Sequence, residues 1–430
     1  MGADVDYTIA TSADLVRPLG VVCDGEWAAI VRHALPPGFR YVVTGDQKVV
    51  EPILFYLQDK CIKTARIRSV GNTQTALCTD LYEWFSYLAV LDQRWDSVGT
   101  GDIETYRDRL LTSVSPKTGK SYARTTVRRR LTTILDFYRW ARREGATMED
   151  VDDIEVRRLP RDYRHDAMAH IHGGDDGVAV NRLLPQAYTD DRIDALAPED
   201  LRRVLHELGS QPGERGDPRP CRDRLIAYLA VATGMRLDEC ASLTLVQFLG
   251  LRKDPHYGNV PMPLTKTKGL RPRTVILPEV VHTDIMTYIE TERARAVRGQ
   301  RKPSPALFVN GEQASRNRGG ALTAHSIWRA FHRAVMTAGL SRSVTVEGPT
   351  GHGTRVEALH SFHDLRHTFA MVMYFELLRA GKSEPWLALK NLLGHRHLST
   401  TINTYLRSVQ AKEALMTDAL HVYLKALRNG

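Results

Sequence analysis

The sequence predicts a mainly α-helical protein of two domains, with a small antiparallel β-sheet in the second domain. Three observations support this fold class. Apolar residues recur at three- and four-residue steps through most of residues 48–146, which is a helical spacing. Residues 149–191 are rich in glycine, aspartate and proline and show no clear period, as expected of a linker. Beyond them the pattern is again helical, except for two short extended runs between residues 260 and 278.

The composition permits two hydrophobic cores and indicates an acidic partner. The chain has 430 residues, of which 43% are apolar and 25% charged, values typical of a globular protein. Its formal net charge is +9, and the excess of Lys and Arg must lie largely on the surface. A positive surface attracts polyanions, so nucleic acid is the first partner to test.

The cysteines and the N-terminal segment indicate a cytoplasmic protein. Five cysteines are scattered, odd in number and without CxxC spacing, which argues against a disulfide framework and a zinc site. The first residues are acidic where a signal peptide is basic, and no apolar run approaches membrane-spanning length. We therefore expect a soluble protein of the bacterial cytoplasm, with no membrane partner.

The first part of the chain divides into an extension and a basic helical domain. Residues 1–44 lack a clear period and form an N-terminal extension to which no role is assigned, whereas residues 45–148 form the helical domain. Two of its helices each place five large residues on one face: Leu77, Leu81, Trp84, Leu88 and Leu91 in the first, and Val127, Leu131, Ile134, Leu135 and Tyr138 in the second.

The second of these helices also carries a run of arginines on its other faces. Arg124, Arg128 and Arg129 begin this run. A solvated face is one interpretation, and contact with DNA phosphates is the other. We retain the three as candidate DNA-binding residues.

The second domain is assigned to residues 192–430, after a linker at 149–191, and opens with a helix that has Pro198 in its first turn. The predicted hairpin at 260–278 carries its basic side chains around a glycine-containing turn. Residues 341–360 are interpreted as an inserted flexible segment. The basic residues of the hairpin, either a solvated tip or candidate DNA contacts and a proton donor, are Lys266, Lys268, Arg271 and Arg273.

The stretch "SFHDLRHTFA" at residues 361–370 concentrates ionisable side chains on one helix face. His363, Arg366 and His367 lie three and four residues apart and therefore meet. The spacing resembles the zinc motif HExxH, but Asp364 is shorter than the required Glu, and an arginine would lie beside the dication. An arginine flanked by histidines better suits an anion with several oxygens, such as a phosphodiester.

Two further segments supply groups with matching chemistry. In "TGMRLDE" a helix stops at Gly234 and Arg236 follows, and in "NLLGHRHLSTTINTYLR" a helix stops at Gly394 before His395 and Tyr405. A tyrosine is a nucleophile only where cations stabilise its phenolate.

With Lys268 and the HDLRH segment, these residues meet the needs of a metal-free transfer of a DNA phosphodiester to tyrosine. Two arginines would neutralise the transition state, the histidines at 363 and 395 would bind the phosphate and help move the nucleophile's proton, and Lys268 would protonate the leaving 5′ oxygen.

The order and spacing of these motifs resemble the catalytic domain of the tyrosine recombinases, the phage integrase family. The matching residues are Arg236, Lys268, His363, Arg366, His395 and Tyr405. Residues 45–148 resemble in pattern the helical core-binding domain of that family. The resemblance implies a 3′-phosphotyrosyl intermediate and strand exchange through a Holliday junction, without a cofactor, a metal or ATP.

Some assignments within the motifs have competitors. Lys266 competes with Lys268, which we prefer for its spacing to Arg273 and Val275. His367 and His397 are interpreted as supporting or solvated residues. Glu239 follows the first arginine and is expected to orient its neighbours.

We therefore predict a site-specific DNA recombinase of a phage or mobile element, acting on double-stranded DNA as a synaptic homo-tetramer, with accessory DNA-bending or sister recombinase proteins as possible partners. The amphipathic segment after Tyr405 would pack on its own domain or on a neighbouring protomer. A type IB topoisomerase or a telomere resolvase would use the same chemistry. A non-catalytic DNA-binding factor with the same fold is the alternative of another class.

Overall fold

The chain forms two units, each mostly helical with small antiparallel sheets, which confirms the predicted fold class. One unit comprises Met1–Tyr188 with Val346–Gly353, and the other comprises Thr189–Thr345 with Thr354–Gly430. A computed structural model describes residues 6–11, 35–63, 71–115, 119, 121–157, 178–186, 195–214, 216–256, 258–265, 272–348, 351–402 and 404–405.

The first unit consists of four helices and two small sheets. Its elements are β1 (Tyr7–Thr11), β2 (Arg40–Thr44), α1 (Glu51–Gln58) followed by a π-helical turn (Asp59–Lys63), α2 (Asn72–Val90), a 3₁₀ turn (Trp95–Ser97), α3 (Thr100–Thr112), α4 (Arg124–Arg143), β3 (Ile154–Arg157) and β4 (Val178–Asn181). β1 pairs antiparallel with β2, with Tyr7 opposite Thr44, and β3 pairs antiparallel with β4.

The helical periodicity places the predicted apolar faces in the core of this unit. All five predicted residues of α4 are buried. In α2 the residues Leu81, Trp84 and Leu88 are buried and Leu77 packs at the edge of the core. Leu91, which was placed on the same helix face, is 51% exposed and lies just after the end of α2 at Val90.

Segments on both sides of the predicted helical domain share its core. Phe39 and Val42, within residues 1–44, are buried in the same cluster as the helices. Val151 and Leu183, within the predicted linker, are buried there too. The described parts of the extension and the linker therefore contribute apolar surface to the first unit.

The second unit has nine helices and one complete hairpin among its described residues, and a further hairpin belongs to it except for Val346–Gly353, which are assigned to the first unit. Its elements are α5 (Pro198–Leu208), α6 (Arg222–Thr233), α7 (Leu237–Ala241), α8 (Leu245–Leu249), β5 (Val260–Leu264), β6 (Arg273–Leu277), α9 (Glu279–Tyr288) followed by a π-helical turn (Ile289–Arg293), α10 (Ala294–Val297), α11 (Ala324–Thr337), β7 (Ser341–Gly348), β8 (Gly351–Ala358), α12 (Phe362–Arg379) and α13 (Pro385–Leu393).

One predicted hairpin is confirmed and one segment differs from its prediction. β5 and β6 pair antiparallel, with Leu264 opposite Arg273, as the two extended runs predicted. The segment 341–360 was interpreted as a flexible insertion, but β7 and β8 form a two-stranded sheet there. The flexible interpretation is therefore wrong for the described residues of this segment.

Two apolar clusters lie in the second unit. The larger includes Ile226, Leu229, Ile285 and Phe331, and takes Leu365 from the first turns of α12. The smaller cluster, called here the tyrosine cluster, consists of Ala370, Met371, Tyr374, Leu389, Leu393 and Tyr405. α12 therefore packs in the larger cluster near its beginning and in the tyrosine cluster farther along. Among the residues that the structure describes, no helix is both long enough and apolar enough to cross a membrane.

Candidate active site

Five of the six residues predicted to be catalytic lie in one region of the second unit. Arg236 precedes α7, His363 and Arg366 lie on α12, His395 follows α13, and Tyr405 lies on the helical turn after it. Arg366 interacts electrostatically with Arg236 and Tyr405, and His395 does so with Arg236 and His363. The remaining predicted residues of the hairpin turn, Lys266, Lys268 and Arg271, lie outside the described residues.

Arg236 is positioned by a glycine-ended helix and by an acidic residue. α6 ends at Gly234, whose φ of 67° is left-handed, and a Cβ at this position would clash with the ring of Phe369. The chain then turns into α7, where the Glu239 carboxylate accepts a hydrogen bond from the Arg236 backbone N–H at 2.8 Å. Both the turn and the cap therefore fix the backbone that carries Arg236.

Glu239 is a buried carboxylate shared by two guanidinium groups. Arg273 donates to it through both Nη atoms, at 2.8 and 2.7 Å, and Arg236 donates through Nη1 at 3.1 Å. Burial raises the pKa of Glu239, but the hydrogen bonds from these two residues outweigh it, so the net direction is downward. Glu239 thus orients its neighbours, as the sequence predicted.

Arg366 connects the segments that carry two other site residues. Its side chain is 1% exposed, and its Nη1 and Nη2 donate to the backbone carbonyls of Gly234 and Leu393, each at 2.6 Å. Nη2 also lies 3.2 Å from Nε2 of His395. Because Gly234 is two residues before Arg236 and Leu393 two before His395, the fork of Arg366 sets the spacing between both segments.

Arg236, Arg273 and Arg366, called here the arginine cluster, hold more positive charge than their carboxylate balances. Burial lowers the pKa of Arg366 to about 9, and the charges of the other two arginines act in the same direction. Arg366 therefore stays protonated at neutral pH, beside two further cations and Glu239. Such a site is stabilised by an anion that brings several oxygens.

His395 is held as a neutral imidazole. It follows Gly394, whose φ is 67° and where a Cβ would lie 2.7 Å from Cδ of Arg273. Nε2 accepts from Arg366, which has only donors, so the ring proton is on Nδ1 and is donated to the hydroxyl of Thr401 at 2.8 Å. Burial and then the neighbouring arginines lower the pKa of His395 to about 4.

Asp364 has a structural task in the HDLRH segment. Its carboxylate accepts from the Ser361 backbone N–H at 2.9 Å and from the Ser361 hydroxyl at 3.2 Å, and so caps the first turn of α12. Burial raises the pKa of Asp364, but the His360 ring, whose Nδ1 lies 3.7 Å away, and the Ser361 backbone N–H lower it by more, so its net pKa is lowered. Within the described ranges, no three His, Cys, Asp or Glu side chains are grouped to hold a metal ion.

His367 contacts Tyr405 directly, which the sequence did not predict. Its Nδ1 lies 3.1 Å from the Tyr405 hydroxyl oxygen, and the two rings meet edge to face at 5.4 Å. The His363 ring packs edge to face against His367, with ring centroids 4.6 Å apart. The spacing in the sequence placed His367 on the same helix face as Arg366, but gave no sign of a partner 38 residues later.

The candidate DNA-binding arginines have intramolecular partners in the structure. On α4, Arg128 donates to the carbonyl of Pro185 at 3.0 Å, and Arg129 forms two hydrogen bonds with Asp80, one of 2.9 Å. Arg124 is the first residue of α4. The side chain of Arg273 is only 7% exposed because it lies on Glu239. Contact of these residues with DNA stays a prediction.

An exposed basic surface lies on α11, and the sequence analysis did not identify it. Trp328 is 43% exposed and stacks between His325 and His332, with ring centroids 5.8 and 5.3 Å away. Arg329 and Arg333 are exposed beside it. Exposed aromatic and cationic side chains on one face suit a nucleic acid surface.

Comparisons with known proteins agree on one family. The phage integrase family model matches residues 194–412, and the model of the phage integrase N-terminal SAM-like domain matches residues 63–145. Tyrosine recombinase XerC of Roseiflexus sp. (strain RS-1) is 26% identical over 352 residues, which are 81% of this chain and 88% of the relative. Tyrosine recombinase XerD of Xanthomonas campestris pv. campestris is 29% identical over 318 residues, which are 72% of this chain and 76% of that relative.

A solved structure shares the fold. A XerH site-specific recombinase bound to a palindromic difH substrate, in a post-cleavage complex, aligns with a TM-score of 0.53 and 15% identity. The alignment covers 85% of this chain and 94% of that one. At this identity the likeness concerns the fold alone.

Proposed function

The chain belongs to the phage integrase family, whose tyrosine recombinases cleave and rejoin DNA strands, and from this membership we propose that it is a site-specific DNA recombinase with Tyr405 as its nucleophile. One observation supports this choice above the others. Burial raises the pKa of the Tyr405 hydroxyl, and the charges of Arg366 and Arg236 oppose this rise and so favour its phenolate. A tyrosine near two cations that also suit a phosphate has the surroundings that nucleophilic attack on DNA requires.

The proposed cleavage step forms one bond and breaks another. The Tyr405 hydroxyl oxygen attacks the phosphorus while its proton passes to a histidine of the site, giving a 3′-phosphotyrosyl link. The bond from phosphorus to the 5′ oxygen breaks, and Lys268 supplies the proton that makes a free 5′-hydroxyl. Arg236 and Arg366 stabilise the negative charge that builds on the nonbridging oxygens. His363 and His395 complete the proposed set around the phosphate.

The proposed strand exchange conserves energy through the covalent link. A 5′-hydroxyl from the partner duplex attacks the phosphotyrosine, releases Tyr405 and forms a new phosphodiester. Repetition on the second pair of strands resolves a Holliday junction, so ATP is not consumed. We propose that four copies assemble on two duplexes, because each cleaved strand requires one nucleophile.

DNA binding is proposed for both parts of the chain. A core-binding domain at residues 45–148 would contact phosphates through Arg124, Arg128 and Arg129, and a catalytic domain would occupy residues 192–430. The exposed face of α11 around Trp328 is a second candidate surface. Phosphate contacts release counterions, so the affinity should fall steeply with salt.

The biological role is proposed from the family. We infer integration or excision of a phage or another mobile element in a bacterial cytoplasm, with accessory DNA-bending or sister recombinase proteins as partners. The residues after Tyr405, predicted to form a helix on the protomer's own domain or a neighbour's, lie outside the described residues.

Covalent trapping on nicked DNA tests the proposed function. A duplex from the flanks of the coding sequence, nicked just beyond the scissile phosphate, loses its short 5′-hydroxyl fragment after cleavage and leaves the protein attached. We expect a denaturation-resistant adduct with the wild type and none with Tyr405→Phe. Binding of this duplex by the wild type without an adduct would instead indicate a non-catalytic DNA-binding factor.

Reaction products separate the alternatives that share the chemistry. Recombined duplexes are expected from a recombinase. Relaxation of any supercoiled plasmid, whatever its sequence, would indicate a type IB topoisomerase. Covalently closed hairpin ends would indicate a telomere resolvase.

A further inference from the structure

The hydrogen bond between His367 and Tyr405 joins the proposed nucleophile to a group that can take its proton. Nδ1 of His367 lies 3.1 Å from the hydroxyl oxygen of Tyr405, within the distance at which a proton passes directly. The helical turn that carries Tyr405 therefore places its hydroxyl at a ring nitrogen of α12.

The surroundings of the pair set the direction of this hydrogen bond. Burial, together with the charges of His363 and Arg366, lowers the pKa of His367 to about 4, so its imidazole is neutral at pH 7. Burial raises the pKa of Tyr405 to about 12, so its hydroxyl keeps its proton. The tyrosine then donates and Nδ1 accepts, with the proton of the neutral ring on Nε2.

His363 has a different position in the same segment. It is exposed, whereas His367 is partly buried, and its ring packs edge-on against His367 with centroids 4.6 Å apart. Sequence reasoning assigned proton movement to His363 and His395. In the structure, Nε2 of His395 already accepts from Arg366, and its Nδ1–H is donated to Thr401.

We propose that His367 is a further catalytic residue, whose Nδ1 accepts the hydroxyl proton of Tyr405 while the bond to phosphorus forms. The proposal rests on the proposed function of Tyr405. As the O–H bond breaks, its electron pair forms the O–P bond, and the P–O5′ bond breaks onto the leaving oxygen, which takes a proton from its own donor. The resulting imidazolium of His367 returns its proton to Tyr405 when the strand is rejoined.

Bound DNA favours this transfer. A phosphate in the arginine cluster opposes the positive charge that lowers the pKa of His367, and the developing dianion opposes it further. The ring therefore becomes a stronger base as the nucleophile attacks.

The substitution His367→Asn separates proton uptake by this side chain from its positioning of Tyr405. Its amide reaches the place of Nδ1 and can keep the hydrogen bond to Tyr405, but it cannot accept a proton. We expect single-turnover adduct formation on the nicked duplex to fall by about 10²-fold or more in both His367→Asn and His367→Ala, the usual effect of losing a general base. Gel-shift affinity for the same DNA should stay within about threefold, because the contact is internal to the protein.

His367→Gln serves if the asparagine variant fails to fold, as judged by its thermal unfolding. Its amide extends toward the place of Nε2, and it also lacks a basic nitrogen. We expect the same loss of about 10²-fold in adduct formation. An asparagine or glutamine variant within about fivefold of the wild-type rate would overturn proton transfer and leave His367 a positioning residue.

A sulfur leaving group shows which proton His367 moves. A 5′-bridging phosphorothiolate expels a thiolate, which needs no proton, so it should restore activity to Lys268→Ala but not to His367→Asn. Restoration of His367→Asn would overturn the assignment to the nucleophile. If the wild type forms no adduct that depends on Tyr405, the proposed function and this inference fail together; if it does and His367→Asn is unimpaired, only this inference fails.

Discussion

The arginines of α4 and those of the arginine cluster carry the same charge in opposite surroundings. Along α4, the guanidinium groups of five arginines pair with carboxylates: Arg129 with Asp80, Arg130 with Glu83, Arg139 with Asp152, Arg142 with Asp150 and Arg143 with Asp59. In the second unit, Arg236 and Arg273 share Glu239, and Arg366 donates to backbone carbonyls.

This difference shows that an arginine-rich segment is not by itself a phosphate site. Arginines with their own carboxylates are largely neutralised within the protein, whereas the arginine cluster keeps a positive charge that an anion can balance. Three of the five partners come from distant positions, such as Asp80, which lies 49 residues before Arg129. The charged residues of α4 are almost all positive in the sequence, but in the fold most of its arginines pair with carboxylates.

The largest contrast is expected from the same substitution in both regions. Arg366→Lys keeps the charge but loses the planar fork that holds the Gly234 and Leu393 carbonyls. We expect adduct formation on nicked DNA to fall by about 10³-fold, the upper range for losing one transition-state donor, because Arg236 and His395 shift as well.

Arg139→Lys is the matched control, since its ion pair with Asp152 lies in the first unit and it is not among the candidate DNA-binding residues. We expect its single-turnover rate to stay within about threefold of the wild type. Equal losses in both variants would remove the distinction between the two regions.

A smaller contrast is expected in stability when one carboxylate is neutralised. Glu239→Gln leaves the partly exposed Arg236 and the nearly buried Arg273 with no anion between them, and should lower the free energy of unfolding by about 3–5 kcal/mol. Inorganic phosphate should recover part of this loss, because it supplies the missing negative charge. Urea unfolding with and without phosphate measures both effects.

Asp150→Asn is the control for that measurement. Its ion pair with Arg142 is more than half exposed on both sides. Exposed ion pairs contribute about 0–1 kcal/mol to stability. The free energy of unfolding of Asp150→Asn should therefore fall by an amount near the lower end of this range, with or without phosphate. A phosphate response as large as that of Glu239→Gln would contradict the contrast.

The smallest expected effect is a decrease in stability with acid, centred on the histidines of the second unit. The pKa values of His367 and His395 are lowered to about 4, from an ordinary value near 6.5. The unfolded chain therefore binds more protons between these values, and stability that is complete above pH 6.5 is lost as the pH falls toward 4. We expect about 1–2 kcal/mol for each histidine by pH 5.

Urea unfolding between pH 7 and pH 5 measures this slope, and a His367→Asn, His395→Asn double variant should flatten it. The charged and titratable neighbours of the two rings, His363, Asp364, Arg366, Arg236 and Arg273, remain in that variant. An unchanged slope would show that the two histidines are not held neutral by the fold. α4 contains no histidine, so its arginine pairs add no such term between pH 7 and pH 5.

Local patterns in the sequence predicted the helices and one hairpin well. The apolar periods of α2 and α4 and the alternating runs of β5 and β6 depend on neighbours within a few residues. The first part of the chain was harder, because β1 and β2 are short and pair across a long separation in sequence. β7 and β8 contain several glycines, which made a strand pair look like a flexible insertion.

The candidate site was predictable where it follows motifs, and not where it depends on tertiary packing. The order of the motifs predicted six catalytic residues, and the structure places five of them in one region. The contact of His367 with Tyr405 arises from the packing of α12 with the turn after α13, and no spacing in the sequence encodes it. Likewise, neutralisation of the α4 arginines required knowing which distant carboxylates fold against them.

The tyrosine cluster has a consequence for motion. Tyr405 packs with five other buried side chains, separately from the much larger apolar cluster of its unit. Small sets of apolar contacts open at a lower free energy than the whole domain unfolds. The proposed nucleophile can therefore leave its buried position by a local opening while the larger core stays folded. Substitutions at Leu389 or Leu393 would then change the fraction of time for which Tyr405 is exposed.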